Sequence, residues 1–549
     1  MQGVLSYSPE DIKKYRKQHL WWDVTLGDAF DHMARVYPQK EVVVDDTRRI
    51  TYGDMAGLIN RIAMSFLAFG LKPGDVVVMQ VPNVLEFPAI YQALQKIGVI
   101  PVMGVPRHAE KEIEHFAQIT GAVAWIGPAG YRKTDYLPML GNLKKRVPNL
   151  KHIIIVDEPG QPERPGFESY QKILGQVKSG KHGEALEKYR PDPLEVSHLL
   201  PTGGTTGLPK LVPRTHNNYL CNAYFNGAAT ERNSKDIDLI VTPIAHNAGL
   251  LRWASRSVWG GKLVLSNSTR PSDILERIQK ERVTTTFLVP TLIIDLLHEP
   301  GFDKYDLRSL ILLTGGGAYL PPEVMREVKR RIGCWCFSIF GMAEGPCIGP
   351  RVDFPEEEIF HTIGIPQCPY DEYKVLNDKE EPVTQGQDGE LAGKGPIIFT
   401  GYYKAEDANR KAFTRDGFFL TGDVVRVNDR GNFMITGRKK DLINRGGEKV
   451  SAEEVEDMIL TMEGVREVAA VAMPDARMGE KVCAYIKAKP GCNFDLERVT
   501  GHLKSLGASV LLLPERIEMI DDFPMTAIGK IDKKLLRERI AAKLGAESK

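Results

Sequence analysis

The sequence predicts an α/β fold in which a large layered domain precedes a smaller α+β domain. Three observations support this prediction. Short apolar strand candidates alternate with helix patterns from the start, a β-rich pattern begins beyond Pro350, and a compact α+β unit closes the chain. With 549 residues, the chain is also too long for one ordinary domain.

The α/β alternation begins with a helix pattern over Leu26–Val36, a strand over Glu41–Val44 and a long helix over Tyr52–Leu71. Further strands are predicted over Val76–Val81, Ile100–Met103, Val196–Leu200, Asp238–Thr242, Lys262–Leu265, Thr284–Val289 and Leu310–Leu313. Helices are predicted over Val84–Gly98, Ala109–Thr120 and Ser272–Arg282. Continuous apolar strands are typical of a buried parallel sheet, where ligands collect at the carboxyl ends.

The second half differs in pattern. Its short alternating runs predict the strands Tyr373–Leu376, Gly389–Ala392, Val424–Val427 and Asn432–Thr436. After a charge cluster at 437–441, the helix patterns Ala452–Met462 and Leu496–Leu506 flank the strand patterns Val465–Met473 and Lys481–Lys487. This last unit is of a size that can fold independently.

Composition excludes several classes of function. Lys+Arg 72 against Asp+Glu 71 leaves a net charge of +1, so the chain has no electrostatic footprint for nucleic acid or an anionic membrane. No apolar run approaches the roughly eighteen residues of a membrane span, and the N-terminus lacks the order of a signal peptide. Seven scattered cysteines indicate reduced thiols and a cytoplasmic location. Cys334 and Cys336 are expected in a buried strand rather than a metal site.

A loop rich in glycine and threonine follows the strand candidate Val196–Leu200. It comprises Thr202, Gly203, Gly204, Thr205, Thr206, Gly207, Leu208, Pro209 and Lys210. Backbone N–H groups, hydroxyls and an ammonium suit polyphosphate binding, although the glycine spacing is not that of a Walker loop. A flexible surface turn is the alternative, and the loop alone does not decide between them.

Three more patches follow apolar segments. The first is Thr314 to Ala318 with its three glycines, and the second is Ile339 to Glu344, which pairs an aromatic ring with a carboxylate suited to Mg²⁺. The third, Phe419 to Asp423, carries a carboxylate that can accept hydrogen bonds from ribose. Taken singly, each also fits an ordinary turn.

The order of these motifs resembles the adenylate-forming superfamily of acyl-CoA synthetases, peptide-synthetase adenylation domains and luciferases. The resemblance covers almost the whole chain and rests on the Thr202–Lys210 loop, Phe340 to Glu344, Tyr402, Thr421 to Asp423, Gly437 to Asp441, Asn444 to Lys449 and Gly529-Lys530. His246-Asn247 and the run Asn444 to Val450 are most similar to aryl-acid ligases such as 2,3-dihydroxybenzoate-AMP ligase.

The resemblance implies a two-step reaction. A carboxylate attacks the α-phosphate of ATP to give an acyl-adenylate and pyrophosphate, and a thiol then displaces AMP. ATP, Mg²⁺ and CoA are the implied cofactors, which makes the chain an AMP-forming acid:CoA ligase whose reaction can in principle run backwards. The alternative is an aryl-acid ligase that loads the phosphopantetheine of a separate carrier protein.

The family motifs also assign residues to roles. Lys530 is expected to be the catalytic lysine of the first step, and Thr202 to Lys210 to hold the β- and γ-phosphates. Glu344 is expected to bind Mg²⁺, Asp423 the ribose hydroxyls, and Arg438 the ribose or phosphate. The remaining nucleotide contacts are assigned to Gly315, Gly316, Gly317, Phe340, Gly341, Met342 and Ala343.

The same resemblance divides the chain into residues 1–439 and a mobile domain of residues 440–549. The hinge is placed at Lys440, and Gly446 and Gly447 are expected to flank the channel for the pantetheine arm.

The acyl pocket is assigned to His246, Asn247, Ala248, Leu251, Gly317 and Ile339. Ala248 stands where dihydroxybenzoate ligases tend to have tyrosine, and Arg252 falls at or near the position of a small hydroxyl residue. Losing a hydroxyl donor argues against a pocket that reads ring hydroxyls. A less polar aromatic or alicyclic acid is therefore expected, with Arg252 pointing away from the pocket, toward an anionic group of CoA.

Overall fold

The structure, a computed structural model, describes residues 1–157, 160–161, 164–178, 180, 182–202, 208–439, 441–445, 448–526 and 530–547. Over these residues the chain folds into a large α/β body with a small α+β domain after it. Both parts of the predicted fold class are therefore confirmed.

Within the described residues, the largest sheet has a parallel centre and antiparallel edges. In spatial order its strands are Ile365–Pro366, Cys347–Gly349, Trp335–Gly341, Leu312–Gly316, Thr285–Leu288, Ile237–Ile240, Lys262–Leu265, Glu41–Val44 and Arg49–Thr51. Ile240 pairs in register with Phe287, and Phe287 pairs with Thr314. This register places the carboxyl ends of the central strands along one edge of the sheet.

A second sheet lies N-terminal in sequence to most of the first. Its strands, in spatial order, are Leu211–Thr215, Val196–Pro201, Ile100–Met103, Val76–Met79, Ala124–Gly127, His152–Ile155 and Glu168–Ser169. One hydrophobic core joins the two sheets, because Met79 of the second sheet and Leu263 of the first belong to the same buried cluster. A short hairpin pairs Gly130–Tyr131 with Thr134–Asp135.

Two smaller sheets follow. The antiparallel sheet of the β-rich region consists of Glu372–Leu376, Gly389–Lys394, Phe419–Val427 and Phe433–Arg438. The sheet of the small domain orders its strands Glu448–Ser451, Leu442–Arg445, Gly479–Ala488 and Val465–Asp475, and Arg516–Met519 pairs with Gly479–Ala488.

Helices cover the sheets. In chain order they are Pro9–Lys17, Leu26–Val36, Tyr52–Phe69, Glu86–Lys96, Glu110–Thr120, Leu137–Arg146, Tyr170–Gly175, Gly183–Leu186, His216–Ala229, Asn247–Trp259, Pro271–Glu281, Pro290–Leu297, Pro322–Ile332, Glu356–His361, Glu406–Ala412, Ala452–Leu460, Leu496–Ser505 and Lys533–Glu547. Among the described helices, none is long and apolar enough to span a membrane.

Local sequence explains where many helices begin and end. Thr25 and Asp28 form a capping box, in which each side chain accepts a hydrogen bond from the other residue's backbone N–H, at 3.1 and 2.8 Å. Proline opens the helices Pro271–Glu281 and Pro322–Ile332, where its missing N–H costs nothing. At the far end of the helix Tyr52–Phe69, Gly70 adopts a left-handed φ of 114°.

Most predicted elements occur within two residues of their predicted bounds, and two differences matter for function. The strand predicted over Leu310–Leu313 runs over Leu312–Gly316, so Gly315 and Gly316 lie in the sheet. Asp423 was expected after a short apolar segment and before the predicted strand Val424–Val427, but it lies inside the strand Phe419–Val427. In both cases pairing with a neighbouring strand extends the element past the apolar run on which the prediction rested. Cys336 is buried in the strand Trp335–Gly341, as expected, and Cys334 is buried directly before it.

Candidate active site

A cavity of about 460 Å³ opens where the small domain meets the carboxyl ends of the central strands. Residues from both domains line it. Among the residues assigned from sequence, those in its wall are Gly317, Ile339, Phe340, Gly341, Met342, Asp423, Arg438 and Lys530. Residues more than 200 positions apart in the chain therefore meet at one site.

Lys530 reaches this cavity from the small domain. A Cβ atom placed on Gly317 would lie 3.4 Å from Lys530 Cε and 3.9 Å from its Nζ, so the ammonium passes close to the glycine backbone. Gly317 itself has a left-handed φ of +85°. Burial, together with the charge of Lys530, lowers the pKa of His246 to about 4, so the imidazole beside the ammonium is neutral near pH 7.

Gly315 and Gly316 lie behind the cavity wall, in the strand. A Cβ on Gly315 would come within 2.6 Å of Leu320 Cδ2, and one on Gly316 within 2.7 Å of the carbonyl oxygen of Ile339. Close packing therefore accounts for both glycines. Of the three, Gly317 is the one in the lining of the cavity.

Asp423 and Arg438 face each other on adjacent antiparallel strands. Arg438 donates to Asp423 through Nε at 2.5 Å and through Nη2 at 3.4 Å. Burial lowers the pKa of Arg438, but the carboxylate of Asp423 outweighs it and the net shift is upward. The pair presents a fixed carboxylate and a fixed guanidinium to the cavity.

Two hydrogen bonds between Thr202 and Lys210 join the two ends of the glycine/threonine loop. The backbone N–H of Thr202 donates to the Lys210 carbonyl at 2.8 Å, and the Lys210 N–H donates to Thr202 Oγ1 at 3.1 Å. Gly203, Gly204, Thr205, Thr206 and Gly207 lie outside the described residues. The Lys210 ammonium stands 4.2 Å from the centre of the Tyr402 ring.

Glu344 lies next to that lysine and is buried. Tyr402 donates a hydrogen bond to Glu344 Oε1 at 2.8 Å. Burial raises the pKa of the carboxyl, against the Tyr402 hydrogen bond and the charges of Lys210 and Arg214, which lower it. A single carboxylate fits Mg²⁺ where substrate phosphates complete the coordination, and the described residues contain no cluster of three or more His, Cys, Asp or Glu that could hold an ion alone.

Two further side chains fix the segment between the cavity and Glu344. Asn247 donates to the Met342 carbonyl at 3.1 Å, and Arg214 donates to the Ala343 carbonyl at 2.7 Å and the Ile397 carbonyl at 2.9 Å. Arg214 was not among the site residues predicted from the sequence. The signal was present, because a charged residue inside the apolar strand Leu211–Thr215 is expected to be buried only when its N–H groups are paired.

The helix Asn247–Trp259 carries most of the predicted acyl pocket, with His246 as its N-cap. Arg252 contradicts the sequence-based expectation that it points toward CoA. It is buried and donates to Asp238 Oδ1 at 2.5 Å and to Thr314 Oγ1 at 2.6 Å. Arg252 can be buried because Asp238 and Thr314 pair its N–H groups, and the apolar neighbours of Asp238 in sequence gave no hint of this partner.

The small domain adds an acidic wall that the sequence did not predict. Glu453, Glu456 and Asp457 of the helix Ala452–Leu460 line the cavity together with Lys533. Burial raises the pKa of Asp457 to about 8, opposed by a hydrogen bond from Tyr319. Burial likewise raises the pKa of Glu453 to about 7.

Lys440, Gly446 and Gly447 lie outside the described residues, so the hinge and the pantetheine channel stay predictions. The division at residue 440 also stays a prediction.

Leu251 lies in the hydrophobic core and Ala248 is half-buried on the same helix.

Comparisons with known proteins agree with this arrangement. The AMP-binding enzyme family matches residues 30–403, and the AMP-binding enzyme C-terminal domain matches residues 454–530. The chain therefore belongs to the AMP-binding enzyme family.

Its relatives include a 2,3-dihydroxybenzoate-AMP ligase of Bacillus subtilis, 36% identical over 99% of both chains. A salicylyl-CoA synthase / salicylate adenylyltransferase of Streptomyces is 34% identical over 99% of this chain and 98% of its own. Among solved structures, apo MbtA of Mycobacterium smegmatis superposes with a TM-score of 0.74 at 32% identity, covering 98% of this chain and 99% of that one. The predicted superfamily and its aryl-acid branch are thus confirmed.

Proposed function

We propose that this protein uses ATP to activate a ring carboxylic acid as an acyl-adenylate and then transfers the acyl group to CoA, releasing AMP. The observation that carries the proposal is the position of Lys530 beside Gly317, in a cavity that also holds Phe340 and the Asp423–Arg438 pair. A cation, an aromatic ring and a hydrogen-bonding carboxylate in one cleft are the groups needed to bind a nucleotide and stabilise charge on it.

In the first step, a carboxylate oxygen of the acid forms a bond to the α-phosphorus of ATP. The bond between the α-phosphorus and the bridging oxygen to the β-phosphate breaks, and pyrophosphate leaves with that oxygen. Negative charge accumulates on the α-phosphate oxygens, so the Lys530 ammonium stabilises the transition state more than the substrate. His246 is neutral near pH 7, so it adds no positive charge beside Lys530.

The other residues take binding roles. Asp423 accepts hydrogen bonds from the ribose hydroxyls, with Arg438 holding its carboxylate in place. Phe340 packs against the adenine. Mg²⁺ would be held by Glu344 and would neutralise the phosphates, while Thr202 and Lys210 hold the pyrophosphate end.

In the second step, a thiol sulfur attacks the carbonyl carbon of the adenylate, and AMP leaves with the oxygen it shared. We propose that residues 440–549 rotate about Lys440 between the two steps, withdrawing Lys530 and bringing Gly446 and Gly447 to the thiol.

The second candidate function differs only in the acceptor: the protein would load the phosphopantetheine of a carrier protein. A relative from Mycobacterium tuberculosis named salicyl-AMP ligase / salicyl-S-ArCP synthetase, 33% identical over 99% of this chain and 95% of its own, supports this candidate, whereas the relative from Streptomyces is named for CoA. Both relatives act on aryl acids by name, which supports a ring acid here. Ala248 offers no hydroxyl to read ring hydroxyls.

Pyrophosphate release with ATP, Mg²⁺ and a panel of benzoates, alicyclic acids and straight-chain acids tests the first step. Lys530→Ala should abolish it, while thioester formation from a preformed acyl-adenylate continues. Lys543→Ala, on the C-terminal helix Lys533–Glu547 that follows Lys530, is the matched control; Lys543 pairs with Glu518 at 2.7 Å. Unchanged adenylation in Lys530→Ala would refute the role of Lys530, and supplying CoA or a carrier protein in parallel separates the two acceptors.

A further inference from the structure

The backbone around Glu344 packs tightly against residues 396–402. The backbone N–H of Phe399 donates a hydrogen bond to the Glu344 carbonyl at 2.8 Å. Gly345 has a left-handed φ of +120°, and a Cβ atom placed on it would overlap the Ile397 carbonyl oxygen. We call residues 396–402 the support segment, because Glu344 cannot keep its position if this segment moves.

Arg214 joins the support segment to the peptide group that precedes Glu344. Its guanidinium donates to the Ala343 carbonyl at 2.7 Å, to the Ile397 carbonyl at 2.9 Å and to Asn218 Oδ1 at 2.6 Å. The side chain is fully buried, so these hydrogen bonds replace the water that it gives up on folding. Arg214 thus fixes the main chain on the N-terminal side of Glu344, and the support segment fixes it on the C-terminal side.

The Tyr7 hydroxyl contacts both of these routes to Glu344. It donates to the Ile398 carbonyl of the support segment at 2.6 Å and accepts a hydrogen bond from Asn218 Nδ2 at 2.7 Å. A phenol can donate one hydrogen bond while it accepts another, so the two contacts are compatible. Because Asn218 also accepts from Arg214, one hydroxyl group connects the support segment with the arginine that borders it.

The N-terminal part of the chain presents Tyr7 to these partners. The Tyr7 ring packs edge to face on Trp21, with 4.8 Å between the ring centres. Trp21 is buried, and its Nε1 donates to the Pro396 carbonyl of the support segment at 3.2 Å. The match to the AMP-binding enzyme family begins at residue 30, so neither ring belongs to the matched region.

Removal of the Tyr7 hydroxyl should loosen this arrangement without unfolding it. Asn218 would keep its hydrogen bond to the Pro396 carbonyl at 2.9 Å, and Arg214 would keep its three acceptors. The support segment would be held by fewer hydrogen bonds and would move more, and Glu344 would move with it. A variant at Tyr7 therefore changes the position of the carboxylate from outside the active-site cavity.

We propose that Tyr7 is a positioning residue for Glu344: through the Ile398 carbonyl and Asn218 it holds the support segment so that the carboxylate is oriented toward the metal ion that accompanies ATP. This inference rests on the proposed function, because it takes Glu344 as the residue that binds Mg²⁺. Partners that orient a metal ligand affect metal affinity without touching the metal, since a ligand that is free to rotate must be ordered on binding.

The test uses Tyr7→Phe, which keeps the ring and removes the hydroxyl. The dissociation constant of Mg·ATP, measured by calorimetry without an acid so that no turnover occurs, should rise at least about threefold. The dissociation constant of ATP in excess EDTA should stay unchanged, because metal-free ATP does not use Glu344. Tyr15→Phe is the matched control, because the Tyr15 ring lies 6.4 Å from the Tyr7 ring and its hydroxyl makes none of these hydrogen bonds.

The outcomes separate this inference from the proposed function. An equal dissociation constant for Mg·ATP in Tyr7→Phe and Tyr15→Phe overturns the inference and leaves the proposed function standing. An equal loss of affinity for Mg·ATP and metal-free ATP in Tyr7→Phe also overturns it, because a general change of structure affects both. Failure of the wild type to bind Mg·ATP overturns the proposed function and the inference together.

Hydrogen exchange follows the same route without nucleotide. In Tyr7→Phe the amide of Phe399 should exchange faster than in the wild type and in Tyr15→Phe, because its hydrogen bond to Glu344 opens more often. Unchanged exchange at Phe399 overturns the inference.

A second variant covers the case in which Tyr7→Phe does not fold. Thr400→Val removes the hydrogen bond from Thr400 Oγ1, on the support segment, to the Leu5 carbonyl at 2.5 Å. It should raise the exchange at Phe399 and the dissociation constant of Mg·ATP in the same direction. If Thr400→Val changes neither quantity, the N-terminal residues do not position Glu344 and the inference is overturned.

Discussion

The Tyr402 hydroxyl donates a hydrogen bond to Glu344 Oε1 at 2.8 Å, and the Lys210 ammonium lies over the same tyrosine ring, 4.2 Å from its centre. One aromatic side chain thus fixes the orientation of the buried carboxylate and the position of the cation at the end of the phosphate loop. This relationship leads to the first prediction.

Tyr402→Phe should raise the Mg²⁺ concentration that the reaction requires, without unfolding the protein. Losing the hydrogen bond frees Glu344 to rotate and removes an interaction that favours its ionised form, and the loss of such an outer partner typically costs about tenfold or more in metal affinity. The measurement is the Mg²⁺ concentration for half-maximal pyrophosphate release. Tyr403→Phe, at the adjacent buried tyrosine, is the control, and an equal Mg²⁺ requirement in both variants would contradict the role given to Tyr402.

Asp423→Asn should raise the KM for ATP about tenfold, because a neutral amide is a weaker hydrogen-bond partner for ribose and for Arg438. The sharper readout is 2′,3′-dideoxy-ATP, which lacks both hydroxyls. The wild type should discriminate strongly against it, and the variant should discriminate little. Asp388→Asn breaks the pair with Arg426 on the same sheet and serves as the control. If Asp423→Asn discriminates against 2′,3′-dideoxy-ATP as strongly as the wild type, Asp423 does not contact the ribose hydroxyls.

Arg214→Met should lower the free energy of unfolding by about 3 kcal/mol, because it leaves the buried carbonyls of Ala343 and Ile397 without donors. The shift of the urea midpoint measures this loss. Arg270→Met removes an exposed guanidinium, 78% accessible, and should change stability by no more than about 0.5 kcal/mol. If both variants unfold at the same urea concentration, Arg214 does not stabilise this segment.

Docking of the small domain should weaken as pH rises. In the docked arrangement, burial raises the pKa of Asp457 to about 8 and that of Glu453 to about 7, so the docked form favours their protonated state. Stability of docking is then fully present below the ordinary carboxyl pKa and is lost as pH rises through 7 and 8. The titratable groups facing them are Tyr319, which stays neutral, and Asp423, Arg438, Glu454, Glu456 and Lys533.

Asp457→Asn removes one of these ionisations and should flatten the fall of adenylation rate between about pH 5 and pH 8, the range between the ordinary carboxyl pKa and the raised pKa of Asp457. The pH profile of pyrophosphate release under saturating substrates measures this, with Asp495→Asn, at the cap of the helix Leu496–Ser505, as control. An identical pH profile in Asp457→Asn and wild type would show that ionisation of Asp457 does not weaken docking of the small domain.

Local sequence signals sufficed for much of the fold. The strands Glu41–Val44, Ile100–Met103 and Lys262–Leu265 have the bounds that their apolar runs predict, because a buried parallel strand must be apolar on both faces. The motifs around Phe340, Asp423 and Lys530 identified the candidate site because nucleotide chemistry needs those groups, and the structure brings these residues to one cavity.

Other features depend on partners remote in sequence. Nothing near Arg214 in the chain reveals that it bonds Ile397, and nothing near Asp457 reveals Tyr319. Arg252 is the clearest example: counting along the motif placed it at the pocket, but the direction of its side chain depended on Asp238 and Thr314, which meet it only across the folded sheet.

By itself, then, the sequence determined the α/β class, the order of the nucleotide motifs and the identity of the cations, since these follow from side-chain periodicity and chemistry within short segments. Only the tertiary structure decided that Lys530 stands beside Gly317 and that Arg252 is turned to the sheet. The reason is that burial and long-range pairing determine the energy of a charged side chain, and both exist only once the chain is folded.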